Sequence, residues 1–111
     1  MLFRSVSQSR YIGVWGPDLE TTDNAFSVST AMIVIWSYTS GNRSIYKNGT
    51  LVASDSYSSA NFMTATPRVG AAGAINQPLK GKMLTLISMT SAITSGDITN
   101  ITSYLSTRWG I

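Results

Sequence analysis

The chain has 111 residues, which predicts a single domain, and it combines 43% hydrophobic residues with only 12% charged residues. Its 17 Ser and 13 Thr, together with its β-branched residues, favour strands with one face in water and argue against disorder. The formal net charge of +3 comes from eight basic residues scattered along the chain, so we expect no nucleic-acid partner.

The sequence also lacks the patterns of membrane and secretory segments. No apolar run approaches the roughly 18 residues that cross a bilayer. Residues 1–10 lack the apolar stretch of about 7–15 residues that a secretory signal carries. We therefore expect a soluble protein that does not insert into a membrane.

The N-terminal part of the chain predicts strands separated by a polar loop. Residues 11–15 (YIGVW) are rich in strand-forming residues and end at the turn signal of residues 16–18 (GPD). Residues 19–24 are acidic and polar, which is typical of a loop. Residues 31–38 predict a further strand, and the unbroken apolar run at residues 32–36 (MIVIW) indicates burial on both faces.

Residues 44–53 carry the clearest local signal in the chain. Asn48 and Gly49 tolerate the positive φ angles that a type I′ turn requires, so they predict a two-residue β-hairpin. A regular ladder running from such a turn determines the cross-strand pairs. The expected pairs are Lys47 with Thr50, Tyr46 with Leu51 and Ile45 with Val52.

The C-terminal third predicts a strand followed by a helix. The strand is expected to be buried and to occupy residues 82–89, after a turn at residues 77–81. Apolar residues then recur at helical spacing and predict a short amphipathic helix at residues 98–108. The residues that set this spacing are Ile98, Ile101, Leu105 and Arg108 with Trp109.

The flanks of the predicted helix carry suitable end signals. Thr94 or Ser95 is expected to cap its first turn through a side-chain hydroxyl. Asp97 lies where the helix dipole favours an anion, and Gly110 suits the exit.

Residue types that support catalysis are scarce in this chain. It has no His and no Cys, which removes the usual general base, the common catalytic triads and the usual zinc and iron–sulfur ligands. Of the five carboxylates, Asp55 is interpreted as a turn residue and Asp97 as a helix-terminus residue. We therefore expect no enzyme, and a polysaccharide hydrolase that uses Asp18 and Glu20 is the weaker alternative.

The acidic loop that begins at Asp18 has two interpretations. It is a solvated connection, or its carboxylate and carbonyl oxygens hold Ca²⁺. Its spacing does not match the EF-hand pattern, so we favour the solvated loop and expect no cofactor. The candidate calcium ligands are Asp18, Glu20 and Asp23.

Aromatic residues beside polar loops suggest a recognition surface. Trp15, Tyr38 and Tyr57 lie near predicted strand ends and can stack on a sugar, whereas aromatics within apolar patterns are assigned to the core. Polar residues of the neighbouring loops can bond to sugar hydroxyls. The predicted contacts for a glycan or surface partner are Trp15, Asp18, Asp23, Asn24, Tyr38, Asn42 and Arg43.

The order of these signals over residues 31–111 resembles the concanavalin A-like, laminin-G-like jelly-roll family. The similarity begins with the apolar strand that ends in Trp36 and continues through the hairpin at residues 45–52. It then includes residues 68–70 (RVG), residues 79–82 (LKGK) and the closing helix with its final Trp-Gly. Each motif is common, and their shared order carries the resemblance.

The resemblance implies an all-β fold: an antiparallel two-sheet jelly-roll sandwich with one short C-terminal helix, formed by residues 1–111 as a single domain. Members of this family are usually longer, which implies that N-terminal strands are missing or reduced here. Exposed sheet edges then favour a homo-oligomer. The acidic strand motif of the family's glucanase relatives is not found, in agreement with a non-enzymatic role.

In function, the resemblance implies a lectin-like binding module that recognises a glycan or a surface partner. The alternative is a structural subunit of a virion or surface assembly, because such domains occur in bacterial surface proteins and phage structural proteins. Either role implies an extracellular, cell-surface or virion location.

Overall fold

A computed structural model describes residues 19, 21, 26, 30–39, 41–57, 71–72, 77–78 and 82–111. Its main elements are a three-stranded antiparallel sheet and one C-terminal helix. A two-stranded ladder of two residues on each side is the remaining β structure in these ranges. The elements are β1 (Val34–Thr39), β2 (Asn42–Lys47), β3 (Thr50–Ser56), β4 (Ala71–Ala72), β5 (Gln77–Pro78) and α1 (Ser95–Trp109).

The hairpin between β2 and β3 forms at the predicted turn. Asn48 and Gly49 have φ angles of 48° and 82°, as a type I′ turn requires, so this prediction is confirmed. Lys47 lies opposite Thr50 and Tyr46 lies opposite Leu51, also as predicted.

The third expected pair of the hairpin is wrong. Ile45 lies opposite Ala53 rather than Val52, because the ladder shifts by one residue between Ile45 and Tyr46. Val52 is the extra residue of a β-bulge, and the prediction assumed an uninterrupted ladder. The bulge decides which residues of β3 face each residue of β2 beyond it.

The turn also holds the start of β1. The backbone N–H of Asn48 donates to the carbonyl oxygen of Ile33 at 2.9 Å, and the Ile33 N–H donates to Asn48 Oδ1 at 2.8 Å. These two bonds satisfy the backbone of Ile33, which precedes the first residue of β1. The strand predicted at residues 31–38 is therefore present, with its ladder over Val34–Thr39.

The core lies between one face of the sheet and α1. Ile33, Ile35 and Ile98 are its buried centre. Ile35 lies opposite Tyr46, and residues opposite each other share a face, so Tyr46 also points toward the helix side. The partly buried side chains that pack against this centre are Tyr46, Ile93, Ile101 and Leu105.

The helix begins and ends with strong caps. Thr94 is the N-cap: its Oγ1 accepts from the Asp97 N–H at 3.1 Å, and the Asp97 carboxylate accepts from the Thr94 N–H at 2.8 Å. Gly110, with φ 67°, closes the C-terminus through its N–H to the Ser106 carbonyl. The predicted helix is confirmed. It begins earlier than predicted because the Thr94 cap precedes the first apolar residue, Ile98, and it ends one residue later, at Trp109, directly before the Gly110 cap.

The predicted all-β jelly-roll sandwich is contradicted. The described residues form a single three-stranded sheet with α1 packed on it, instead of two sheets that face each other. An apolar sheet face requires some apolar layer to cover it, and the side chains of α1 supply one as well as a second sheet does. Strand patterns alone do not reveal which kind of layer covers them.

The buried strand predicted at residues 82–89 is wrong as well. These residues belong to no strand or helix, and each of them is exposed. Among the described parts of the chain, no helix combines the length and the apolar character needed to span a membrane.

Candidate functional site

Two features of the described residues stand out chemically, and the first is a charged cluster on the sheet. Arg43 of β2 lies opposite Asp55 of β3. The Arg43 Nε donates to Asp55 Oδ1 at 2.8 Å, and the same guanidinium bonds to Oδ2 through Nη2. The Tyr57 ring lies 4.5 Å from the guanidinium carbon, which places an aromatic face against the same cation.

The burial of this cluster is uneven. The side chain of Arg43 is only 1% exposed, whereas that of Asp55 is 35% exposed. The hydrogen bond from Arg43 lowers the pKa of the Asp55 carboxyl from its ordinary value; desolvation opposes this effect, and the guanidinium charge adds to it. A guanidinium that bonds to both oxygens of a carboxylate forms a strong, charge-assisted pair, which here joins two strands. In this geometry Arg43 connects β2 to β3.

The β-bulge is what creates this pair. Without it, the regular ladder from Asn48 and Gly49 places Arg43 opposite Ser54 and moves Asp55 to the other face of the sheet. Asp55 was predicted as a turn residue, and that prediction is wrong because it lies within β3. A bulge has no clear signature in this hairpin sequence, so the pair was not foreseen.

The structure places three of the predicted contact residues at one end of the sheet, with Tyr38 and Arg43 on one face and Asn42 on the other. Tyr38 lies opposite Arg43, and Asn42 lies opposite Thr39, so Tyr38, Asn42 and Arg43 share the end of the sheet where β1 connects to β2. Asn42 is exposed, and its Oδ1 accepts a hydrogen bond from Ser56 Oγ at 2.9 Å.

The other predicted contacts and the predicted calcium ligands lie outside the described residues. The described part of the chain holds no group of three or more carboxylates placed to bind a metal ion. The predicted residues that fall outside it are Trp15, Asp18, Glu20, Asp23 and Asn24.

The second feature is an exposed apolar surface, which we define as residues 83–89 together with Tyr104, Trp109 and Ile111. The chain runs through residues 82–89 without a turn or bend. None of the backbone hydrogen bonds between described residues involves this stretch. The exposed fractions are 43% for Met83, 51% for Leu84, 59% for Leu86, 47% for Ile87, 47% for Met89, 55% for Tyr104, 39% for Trp109 and 41% for Ile111.

One hydrogen bond joins the two parts of this surface. Trp109 Nε1 donates to Thr85 Oγ1 at 2.9 Å, which connects the end of α1 to the middle of residues 83–89. Arg108 lies beside the same group: its guanidinium carbon is 5.5 Å from the Trp109 ring, and its Nη1 donates to the Tyr104 hydroxyl at 3.2 Å. The charged head of Arg108 therefore borders the apolar side chains.

The sequence did not predict this apolar surface because its residues 83–89 are compatible with two structures. The letters MLTLISM fit a buried strand as well as they fit an exposed docking segment, and only tertiary contacts separate the two. Comparison of the chain with protein-family models, with curated proteins and with solved structures found no match. The resemblance to concanavalin A-like domains therefore stays a prediction.

Proposed function

We propose that this protein is a non-enzymatic structural subunit that assembles through its exposed apolar surface. The observation that carries the proposal is the exposure of large apolar side chains along residues 83–89, beside Tyr104 and Trp109. Large contiguous apolar patches on a protein surface commonly mark protein–protein interaction sites. Assembly also agrees with the predicted homo-oligomer.

The size of the surface suits a protein partner. On the transfer scale, burying one Leu, Ile or Met side chain removes on the order of 100 Å² from water. Eight such side chains that are about half exposed present several hundred Å², and two copies together approach the roughly 1,000 Å² of a specific interface. A surface of this extent is not typical of a small-molecule site, because small ligands bind in concave pockets.

Charge does not oppose this contact. Residues 83–96 contain no charged side chain, and the whole chain carries a formal charge of only +3. Repulsion between copies is therefore weak at ordinary ionic strength, where exposed charges are screened beyond about 8–10 Å. Hydrophobic burial is the dominant force available to this surface.

Sedimentation velocity over a concentration series tests the proposal. The unaltered chain is expected to shift from monomer to larger species as concentration rises. Replacing Leu84→Asp and Leu86→Asp together is expected to raise the concentration needed for assembly at least tenfold. A matched control adds the same two charges at the neighbouring exposed polar positions, Thr90→Asp and Ser91→Asp, and is expected to assemble like the unaltered chain.

Two results contradict the assembly role. One is a stable monomer for the unaltered chain at the highest concentration reached. The other is equal loss of assembly in the control variant, because that outcome assigns the effect to added charge and not to the apolar surface.

Recognition of a glycan is the second candidate function, and the exposure of the polar side chain of Asn42 at the sheet end favours it. Saturable sugar binding on a glycan array that is lost in Asn42→Ala, but retained in the Leu84→Asp and Leu86→Asp variant, assigns recognition to this sheet end. An array without hits removes this candidate and leaves the assembly role.

A further inference from the structure

We infer, on the basis of the assembly role proposed above, that residues 83–89 of one copy add as a strand to the free edge of β3 in a second copy. Sheets bind extended segments through main-chain hydrogen bonds, and apolar side chains on alternate positions provide packing. The steps below concern the acceptor edge, the donor segment and the choice of a second copy.

The acceptor is β3, the last strand of the sheet. Among the described residues it is paired on one side only, with β2. The other side of a strand presents backbone N–H and C=O groups that can bond to a further strand. Thr50, Leu51, Ser54 and Ser56 are exposed along β3, so this edge is open to solvent over most of its length.

The edge of β3 lacks the usual protection against strand addition. Lys, Pro and outward charges commonly block edge pairing, and β3 (TLVASDS) contains no Lys and no Pro. Its single charge is that of Asp55, which is paired with Arg43. The edge is therefore both long and uncharged toward an incoming strand.

The donor matches the acceptor in length, and its backbone groups have no hydrogen-bond partner among the described residues. Residues 83–89 span seven positions, and β3 has seven residues, each about 23 Å long at roughly 3.3 Å per residue. The donor has no backbone hydrogen bond to any other described residue. Its apolar side chains fall on both faces, as in strands that are covered on both sides.

A second copy is the partner that the described geometry favours. Within one copy, residues 82–89 and β3 are both described and do not pair, and the bond from Trp109 to Thr85 ties the donor to the end of α1. The described residues of each copy include the donor and the outer edge of β3. A two-fold dimer satisfies both donors and both edges at once, which doubles the area buried by a single contact.

Thiol cross-linking of full-length chains tests this arrangement cleanly, because the unaltered chain has no Cys. One chain carries Ser88→Cys in the donor, and a second chain of different tag length carries Ser54→Cys near the centre of β3. The two are mixed and treated with a short bis-maleimide. The control mixes the Ser88→Cys chain with Ser103→Cys, since Ser103 is exposed and belongs to α1 instead of β3.

The expected result is a mixed dimer from positions 88 and 54 at a yield at least tenfold above that from positions 88 and 103. A second measurement uses Ser88→Pro, which keeps every apolar side chain of the donor but removes one N–H and restricts its pairing. Assembly of this variant is expected to weaken, whereas Ser91→Pro, just outside the donor, is expected to assemble normally.

The outcomes separate the inference from the proposed function. Equal cross-linking of the two pairs, in a chain whose assembly still depends on Leu84 and Leu86, overturns strand addition and keeps the assembly role. A chain that carries both Ser54→Cys and Ser88→Cys and cross-links them only within one copy also overturns it. A chain that never assembles overturns both.

Discussion

Two apolar stretches of similar composition reach opposite environments in this protein. Residues 32–36 (MIVIW) run into β1, where β2 and α1 cover Ile33 and Ile35. Residues 83–89 (MLTLISM) remain exposed along their whole length. The first stretch lies next to a turn of defined geometry, in which Asn48 hydrogen-bonds to both the N–H and the carbonyl oxygen of Ile33. The second has no such neighbour among the described residues.

The difference shows that an apolar composition favours burial but does not by itself determine whether a stretch is buried. A strand also has to satisfy its backbone groups, and the tight hairpin supplies partners for β1 and β3 within a short stretch of chain. We call β1, β2, β3 and α1 together the hairpin–helix unit. The following predictions test its contrast with residues 83–89.

The largest expected contrast comes from truncating one apolar side chain in each region. Ile45 is 1% exposed, so Ile45→Ala is expected to lower the free energy of unfolding by about 3 kcal/mol. Leu86→Ala is expected to change it by less than about 0.5 kcal/mol in the monomer. Urea unfolding followed by tryptophan fluorescence measures both, and equal losses contradict the contrast.

Breaking the charged pair is expected to have the next largest effect. Asp55→Asn leaves the buried Arg43 guanidinium without its counter-charge, and we expect a loss of about 2–3 kcal/mol. The partial exposure of Asp55 keeps the loss below that of a fully buried pair. The double variant Arg43→Met with Asp55→Leu removes both charges and is expected to recover most of the stability.

Low pH is expected to lower the stability of the hairpin–helix unit. Hydrogen bonds lower the pKa of Asp55 through Arg43, and that of Asp97 through the Thr94 side chain first and its backbone second. A pKa lowered by folding adds stability above the unfolded value of about 3.9, and this stability is lost as pH falls through the folded value. Urea midpoints should therefore be level near neutral pH and fall below about pH 4. Asp55→Asn should flatten this fall, and an unchanged acid profile contradicts the assignment.

Two glycines test how closely α1 packs on the hairpin turn. Gly49 and Gly110 both have positive φ, but a Cβ at Gly49 meets Thr102 Cγ2 and Oγ1 at 3.3 Å, whereas one at Gly110 meets nothing within 4 Å. We expect Gly110→Ala to cost about 1 kcal/mol from backbone strain, and Gly49→Ala about 2 kcal/mol because the Thr102 side chain must also shift to make room. Equal melting temperatures for the two variants contradict the close contact.

The smallest expected effect is an increase in the free energy of unfolding. Thr102 Oγ1 is buried and has no hydrogen-bond partner among the described residues. Thr102→Val removes this hydroxyl and is expected to raise stability by up to about 1 kcal/mol. Thr99 is the matched control, because its exposed Oγ1 donates to the Ser95 carbonyl at 3.0 Å. Thr99→Val should give no gain, and a destabilised Thr102→Val contradicts the burial of a lone hydroxyl.

Features set by neighbouring residues were predicted well from the sequence. Asn48 with Gly49 determines the turn, because few residues adopt positive φ in succession without strain. Thr94, Asp97 and Gly110 determine the ends of α1, because caps act within a few residues of the chain.

The candidate site was predicted less well. Tyr38, Asn42 and Arg43 do lie at one sheet end, but Asn42 is on the opposite face from the other two. The pairing of Arg43 with Asp55 depends on a bulge that the turn signal does not encode. The exposed apolar surface was predicted as a buried strand. Trp15, Asp18, Glu20, Asp23 and Asn24 lie outside the described residues, so their predicted roles stay predictions.

The sequence by itself determined the hairpin and the capped helix, since their geometry follows from φ preferences and hydrogen bonds between near neighbours. Only the tertiary structure decided that α1 covers the sheet, that Asp55 reaches Arg43 and that residues 83–89 stay exposed. Burial is non-directional, and any apolar layer satisfies it, so an apolar pattern states that a face must be covered without naming what covers it.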